Sequence, residues 1–142
     1  MKKLFVVLAA MVMTLSASAF EFDGINLNAS VNKICAEIAK RGYVYDDTAD
    51  AFVGMCRGTQ ISLSLNWKNV KEGGKLGQLI VDVPMQEENA FSIVSKVLNV
   101  LYHPVKGGKG NVYVVSEDGT TLEVTLSQTG ICLVYNTPYY KK

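Results

Sequence analysis

One order of hydrophobic patterns occurs twice along this chain: a helical stripe, then three runs typical of strands. The helical stripes lie within residues 28–42 and 87–102, where apolar residues recur three and four positions apart. The strand-like runs cover residues 51–57, 60–67 and 76–84 after the first stripe, and residues 111–116, 120–127 and 131–136 after the second. The repeat predicts two similar α-β-β-β halves, at about residues 20–85 and 86–137.

The run at residues 60–67 indicates how the strands are covered. Ile61, Leu63, Leu65 and Trp67 alternate with polar residues, as in a sheet with one buried face and one face in water. Neither half offers much core alone, because small units bury too little surface. We therefore predict an α+β fold, in which one antiparallel sheet spans both halves and two helices pack on one face.

The first helix has recognisable ends. Asn28 or Ser30 can cap its start, and Gly42 supplies the left-handed residue that often stops a helix. Glu37 and Arg41 lie four positions apart, which is the spacing of a weak surface ion pair.

The first 19 residues are typical of a secretory signal peptide. Lys2 and Lys3 precede an apolar run that ends near Leu15, and an Ala-x-Ala cleavage site ends at Ala19. This run is shorter than the roughly 20 apolar residues that a membrane-spanning helix needs. We expect cleavage after Ala19, no transmembrane helix in the mature chain, and a periplasmic or extracellular location.

The mature chain, residues 20–142, has the size of one domain, with a short tail at 138–142. The full sequence has 14 Lys and Arg and 13 Asp and Glu, so loss of Lys2 and Lys3 leaves twelve basic side chains and a net charge of about −1. Such a surface lacks the basic stripe that binds phosphate backbones. We therefore expect no nucleic-acid partner.

Three cysteines remain in the mature chain: Cys35, Cys56 and Cys132. In an exported protein a disulfide is the usual expectation, and it would leave one thiol over. The sequence does not choose among the three possible pairs. The helical stripe predicts that Cys35 faces the core, and the absence of a Cys-x-x-Cys motif gives no support to a redox role.

The segment HPVKGGKGN, residues 103–111, contains the chain's only histidine, His103. A phosphate-binding loop would lead from a strand into a helix N-terminus, whereas this segment follows a helix, where the dipole end is negative. We therefore interpret it as a turn between helix and sheet. A Ser-His-Asp or Cys-His site would have to use His103, and no pattern directs a nucleophile toward it.

Two groups of residues have metal-ligand chemistry without the spacing of a metal site. The residue types that bind zinc in proteins occur at Cys35, Cys56, His103 and Cys132. They lack the close pairs of structural zinc sites. A carboxylate group in YDDTAD consists of Asp46, Asp47 and Asp50. It lacks the Asp-x-Asp-x-Asp-Gly pattern of a calcium loop, so we expect a solvated turn, with no metal or cofactor.

Aromatic side chains offer another kind of site, since an exposed group can form a platform that binds proteins or sugars. The candidates for partner contact are Trp67, Tyr113, Tyr135, Tyr139 and Tyr140, with Tyr43 and Tyr45 as further members. Core packing is the alternative for most of them, because alternation places Trp67 on the side of Ile61 and Leu63. The last two tyrosines belong to the tail, which either frays or docks on a partner.

Four segments resemble those of small secreted bacterial proteins of unknown function: FEFDGINLNASVNKICAEIAKRGY, AFVGMCRGTQISLSL, VDVPMQEENAFSIVSKVLNVLY and GICLVYN. They span nearly the whole mature chain. The tandem halves are similar in architecture to the beta-lactamase inhibitory protein and to the small lipoprotein of the outer-membrane assembly machinery. That similarity implies protein binding through an open sheet face, although the lipidated cysteine of the lipoprotein is missing here.

The sequence thus predicts an exported, non-enzymatic binding or interaction module, whose partner is a protein or a cell-envelope component. The alternative is a small cell-envelope enzyme whose site no motif reveals. A flat exposed aromatic patch would favour binding, whereas a deep pocket with convergent polar groups would favour the enzyme.

Overall fold

A computed structural model describes residues 20–56, 58–85, 89–105, 111–128 and 130–141. The predicted signal peptide, and the lysines and glycines at 106–110, lie outside these residues. The described chain combines two helices with a large antiparallel sheet, which confirms the α+β class. Neither of these helices is long and apolar enough to cross a membrane.

The elements follow one another in two similar series. The first is β1 (Glu21–Phe22), β2 (Ile25–Asn26), α1 (Val31–Lys40), β3 (Val44–Asp46), β4 (Ala51–Cys56), β5 (Thr59–Asn66) and β6 (Gln78–Pro84). The second is α2 (Ala90–Leu101), β7 (His103–Pro104), β8 (Val112–Val114), β9 (Thr121–Leu126) and β10 (Gly130–Asn136). The short strands β1 and β2 form a separate hairpin.

The other eight strands form one sheet in the order β3-β4-β5-β6-β10-β9-β8-β7. Each half contributes a meander, and the last strands of the two meanders pair at the centre, from Gly130 opposite Pro84 to Asn136 opposite Gln78. The prediction of three strands per half is wrong, since β3 and β7 add an edge strand to each. Both have only two or three residues, too few for alternation to reveal them.

The predicted ends of the first helix are confirmed. The Ser30 hydroxyl accepts a hydrogen bond from the Lys33 amide at 3.2 Å, so Ser30 rather than Asn28 is the cap. Gly42 has φ +90°, a conformation that glycine adopts without strain. Glu37 and Arg41 pair at 3.0 Å on the surface. The second helix is observed from Ala90, and residues 86–88 lie outside the described chain.

One hydrophobic cluster contains buried side chains from both helices and both meanders. Leu63, Val81 and Leu133 face one another on three central strands, and all three are fully buried. The Tyr135 ring stacks on Phe20 with centroids 4.6 Å apart. Its buried hydroxyl has no hydrogen-bond partner among the described residues, and burial raises the pKa of Tyr135 well above its ordinary value.

The expected disulfide is wrong, because none of the three cysteines forms one. The fold places them on different elements. Cys35 lies on α1 and is half-buried, so the expectation that it faces the core holds only in part. Cys56 is buried at the end of β4, 3.8 Å from an Asp23 carboxylate oxygen. Cys132 lies on β10 opposite Asp82, on the other face of the sheet from Leu133.

The segment at His103 begins a strand rather than a turn. His103 and Pro104 pair with Val114 and Tyr113 of β8, and the Val105 amide donates to the Val112 carbonyl at 2.8 Å. The strand β7 is the outer edge of the sheet, where proline is tolerated because its missing N–H faces solvent.

The last residues are docked, so the expectation that the tail frays is wrong for residues 138–141. The Thr137 hydroxyl donates to the Gly77 carbonyl at 3.2 Å. The Lys71 amide donates to the Tyr139 carbonyl at 2.8 Å, and Lys141 donates to the Asn69 carbonyl at 3.0 Å. These bonds join the end of the chain to the lysine-rich loop after β5, which we call the basic loop (residues 68–75).

Candidate functional site

A groove of about 610 Å³ lies between α1 and the β3 edge of the sheet. We call it the Trp67 groove. Its principal lining residues are Cys35, Tyr45, Asp50, Phe52, Trp67 and Lys68. They come from α1, from β3 and β4, from the turn that joins these strands, and from the start of the basic loop.

The groove continues the hydrophobic core outward along one cross-strand row. Tyr45 pairs with Phe52, and Phe52 pairs with the fully buried Leu63. The Tyr45 and Phe52 rings meet edge to face with centroids 5.3 Å apart. Exposure rises along this row to 46% at Tyr45. The row therefore leaves the covered core and presents aromatic surface to solvent, an arrangement that marks many interaction sites.

Trp67 also lines the groove and is 51% exposed, so the alternative that it packs in the core is wrong. The strand β5 ends one residue earlier, at Asn66. The Asn66 carbonyl accepts the Gly77 amide at 2.9 Å, and its side chain accepts the Asn69 amide at 3.4 Å. The chain therefore turns at this point, and the alternation of the strand no longer fixes where Trp67 points.

A second cavity, of about 280 Å³, is also lined by Trp67. Its lining includes Val31 at the start of α1 and Gly74 of the basic loop. The Val31 amide donates to the Gly74 carbonyl at 2.8 Å, which fixes the loop against the helix. The indole of Trp67 thus borders two cavities beside α1, and a partner side chain in either would contact it.

The groove has few polar groups, and the two charged ones, Asp50 and Lys68, each contact an aromatic side chain. The Tyr45 hydroxyl donates a hydrogen bond to the Asp50 carboxylate, and this bond raises the pKa of Tyr45, with smaller contributions from desolvation and the nearby aspartates. The Lys68 ammonium lies 5.5 Å from the centroid of the Trp67 ring, at cation–π distance. Burial raises the pKa of the Cys35 thiol. Cys35 and Tyr45 therefore remain neutral near pH 7.

The three aspartates of YDDTAD form the turn between β3 and β4. The Asp46 carboxylate accepts the Thr48 amide at 2.9 Å, in the manner of an Asx turn, and Asp50 accepts the Tyr45 hydroxyl. Within the described ranges, no group of three or more His, Cys, Asp or Glu side chains converges as metal ligands would. The four zinc-ligand types are likewise dispersed, with Cys56 on β4 and His103 on the opposite edge of the sheet.

The opposite sheet face carries several polar side chains on its central strands. The amides of Asn66, Gln78 and Asn136 form a ladder across β5, β6 and β10, with hydrogen bonds of 2.9 and 2.7 Å. Next to the ladder, Cys132 lies between Asp82 and Thr125. Burial and then the charge of Asp82 raise the pKa of Cys132. This face, which the architectural similarity favours as the binding surface, therefore presents hydrogen-bonded amides, a thiol with a raised pKa, and the partly buried pair Ile80 and Val134.

The prediction of partner contact is wrong for two of the aromatic residues. Tyr113 and Tyr135 are fully buried, because both point to the core side of their strands. Tyr43 is also buried. Tyr139 and Tyr140 are half-buried against the basic loop, where the Lys75 ammonium lies 5.1 Å from the Tyr139 ring centroid.

The sequence analysis named four of the groove residues, but for separate reasons. Trp67 and Tyr45 belonged to a possible aromatic platform, Asp50 to a possible calcium turn, and Cys35 to a possible disulfide or zinc site. The pairing of β3 with β4 brings Tyr45 and Asp50 together. Phe52 and Lys68 were missed. Only the apolar pattern of the β4 run indicated that Phe52 lies in a strand. Nothing in the sequence indicated that Lys68 lines the groove.

Comparison with protein-family models, curated proteins and solved structures finds no match to this chain. The resemblance to small secreted bacterial proteins therefore stays a prediction. The case for function rests on the Trp67 groove and its chemistry.

Proposed function

We propose that this protein is an exported, non-enzymatic interaction module that binds a segment of a partner protein of the cell envelope in the Trp67 groove. The observation that carries the proposal is the half-exposed Trp67, which faces Tyr45 and Phe52 across a groove of about 610 Å³. Tryptophan and tyrosine in concave, partly desolvated places dominate the energetics of protein interfaces. Export follows from the predicted signal peptide, residues 1–19.

The proposal includes the packing of both helices on one face of the sheet. Ile38 of α1 and Leu98 of α2 belong to the same buried cluster as Leu133. The Tyr113 hydroxyl, on the core side of β8, donates to the Ser95 carbonyl of α2 at 3.4 Å. These contacts support one layer that contains both helices and does not cover β3. A side chain of the partner would then cover Tyr45.

The chemistry of the groove supports binding over the enzymatic alternative. A thiol nucleophile needs a lowered pKa, whereas burial raises the pKa of Cys35. Neutral thiol and phenol groups remain able to contact or hydrogen-bond a partner. The groove thus offers aromatic surface and a few hydrogen-bonding groups, which suit recognition.

The test is a selection of ligands from a displayed library of random peptides against purified residues 20–142. We expect a recurrent ligand family that binds with a dissociation constant of about 1–10 μM and is recovered chemically unchanged. Selection of no binder would contradict the proposal. Cleavage or modification of the selected peptides would favour the enzymatic alternative instead.

A further inference from the structure

Side chains of opposite charge line the Trp67 groove. Asp50 belongs to the turn between β3 and β4, which also carries Asp47 and follows Asp46, the last residue of β3. Lys68 begins the basic loop, which also carries Lys71 and Lys75. The apolar side chains of Phe52, Leu65 and Trp67 line the same groove.

Neither charge that lines the groove is neutralised by the described part of the chain. Asp50 accepts a hydrogen bond from Tyr45, and Lys68 lies over the Trp67 ring, but neither side chain has an ion-pair partner among the described residues. Both charged groups are therefore positioned by an aromatic neighbour. Charges fixed beside apolar walls interact more strongly with a ligand than charges on flexible side chains in bulk water.

We propose that the groove recognises a dipolar protein segment, in which an apolar side chain is flanked by a basic residue toward Asp50 and an acidic residue toward Lys68. This inference rests on the proposed function and names the partner chemistry of the same site. A uniformly anionic ligand, such as a polysaccharide or a lipid surface, would place like charge beside the acidic turn, which is costly. A protein segment can carry both signs within the length of the groove.

The experiment compares peptides that share one apolar anchor and differ only in their flanks. The dipolar peptide is Lys-Lys-Leu-Phe-Leu-Glu-Glu, and the others carry glutamine, glutamate or lysine at all four flanking positions. Trp67 is the chain's only tryptophan, so its fluorescence reports binding directly. We expect the dipolar peptide to bind about tenfold more tightly than the glutamine peptide at low salt, with the difference largely lost at high salt.

The variant Lys68→Glu tests whether Lys68 contacts the acidic flank of the ligand. It should weaken binding of the dipolar peptide about tenfold or more and make the all-lysine peptide the preferred ligand. The matched control is Lys96→Glu, an identical change at an exposed position on α2 that leaves the peptide ranking unchanged.

The outcomes separate this inference from the function on which it rests. Equal affinity for the dipolar and glutamine peptides would overturn the inference and leave groove binding intact. Tightest binding of the all-glutamate peptide or of anionic phosphatidylglycerol vesicles would also overturn it. Failure of all four peptides to perturb Trp67 would count against the proposed groove function itself.

Discussion

Replacing Trp67 by alanine should weaken binding of the selected peptide ligand about 30- to 1000-fold, the loss typical of a tryptophan hot spot of about 2–4 kcal/mol. The indole borders both cavities beside α1 and positions the Lys68 ammonium. Its removal therefore opens the wall of the groove and frees the lysine. Isothermal titration calorimetry measures the affinity of both proteins, since the variant has no tryptophan to report it.

The same substitution should change the free energy of unfolding by no more than about 1 kcal/mol, because half of the side chain is exposed. A loss of affinity can then be assigned to the site rather than to unfolding. Leu126→Ala is the matched control, since Leu126 is 69% exposed at the opposite end of the sheet. If Trp67→Ala bound the ligand within about threefold of the unmodified protein's affinity, Trp67 would not be part of the binding site.

Replacing Leu133 by alanine should lower the free energy of unfolding by about 3 kcal/mol, within the usual range for a buried leucine. Leu133 lies on β10 between Val81 and Val124, and all three are fully buried. Because β10 joins the two meanders through β6, the cavity destabilises both halves together. Urea unfolding followed by Trp67 fluorescence and by circular dichroism should give coincident transitions at a lower midpoint.

The neighbouring residue provides the control for this prediction. Val134 lies on the same strand but points to the polar face and is only partly buried, so Val134→Ala should cost about 1 kcal/mol. Equal losses for the two variants would contradict the assignment of faces. Two separate unfolding transitions would show that the halves are independent, contrary to a single shared core.

The sequence predicted the parts of this fold that depend on long, regular patterns. The alternation of residues 60–67 matches β5 (Thr59–Asn66) to within one residue at each end, and the cap at Ser30 is observed. The edge strands β3 and β7 were missed, because two or three residues do not establish a period. The order of the strands in the sheet could not be predicted either. Alternation shows which side chains of a strand face the core, but not which strand lies next to it.

The candidate site shows the same division between local pattern and tertiary contact. Alternation favours core packing for Trp67 only when it is extended one residue past Asn66, the end of β5. Tyr135 was offered as a surface aromatic although its strand position buries it completely. The groove itself arises from pairing between β3 and β4 and from the position of α1, neither of which a sequence period encodes.

The position of the bound ligand on the protein tests the central claim most directly. Backbone amide chemical shifts of residues 20–142 should be recorded by nuclear magnetic resonance during titration with the selected peptide. We predict that the largest changes occur at the groove, at Tyr45, Phe52 and Trp67, with little change at Glu123 and Asn136 on the polar sheet face. Changes centred on Glu123 and Asn136, with the groove amides unaffected, would contradict the account.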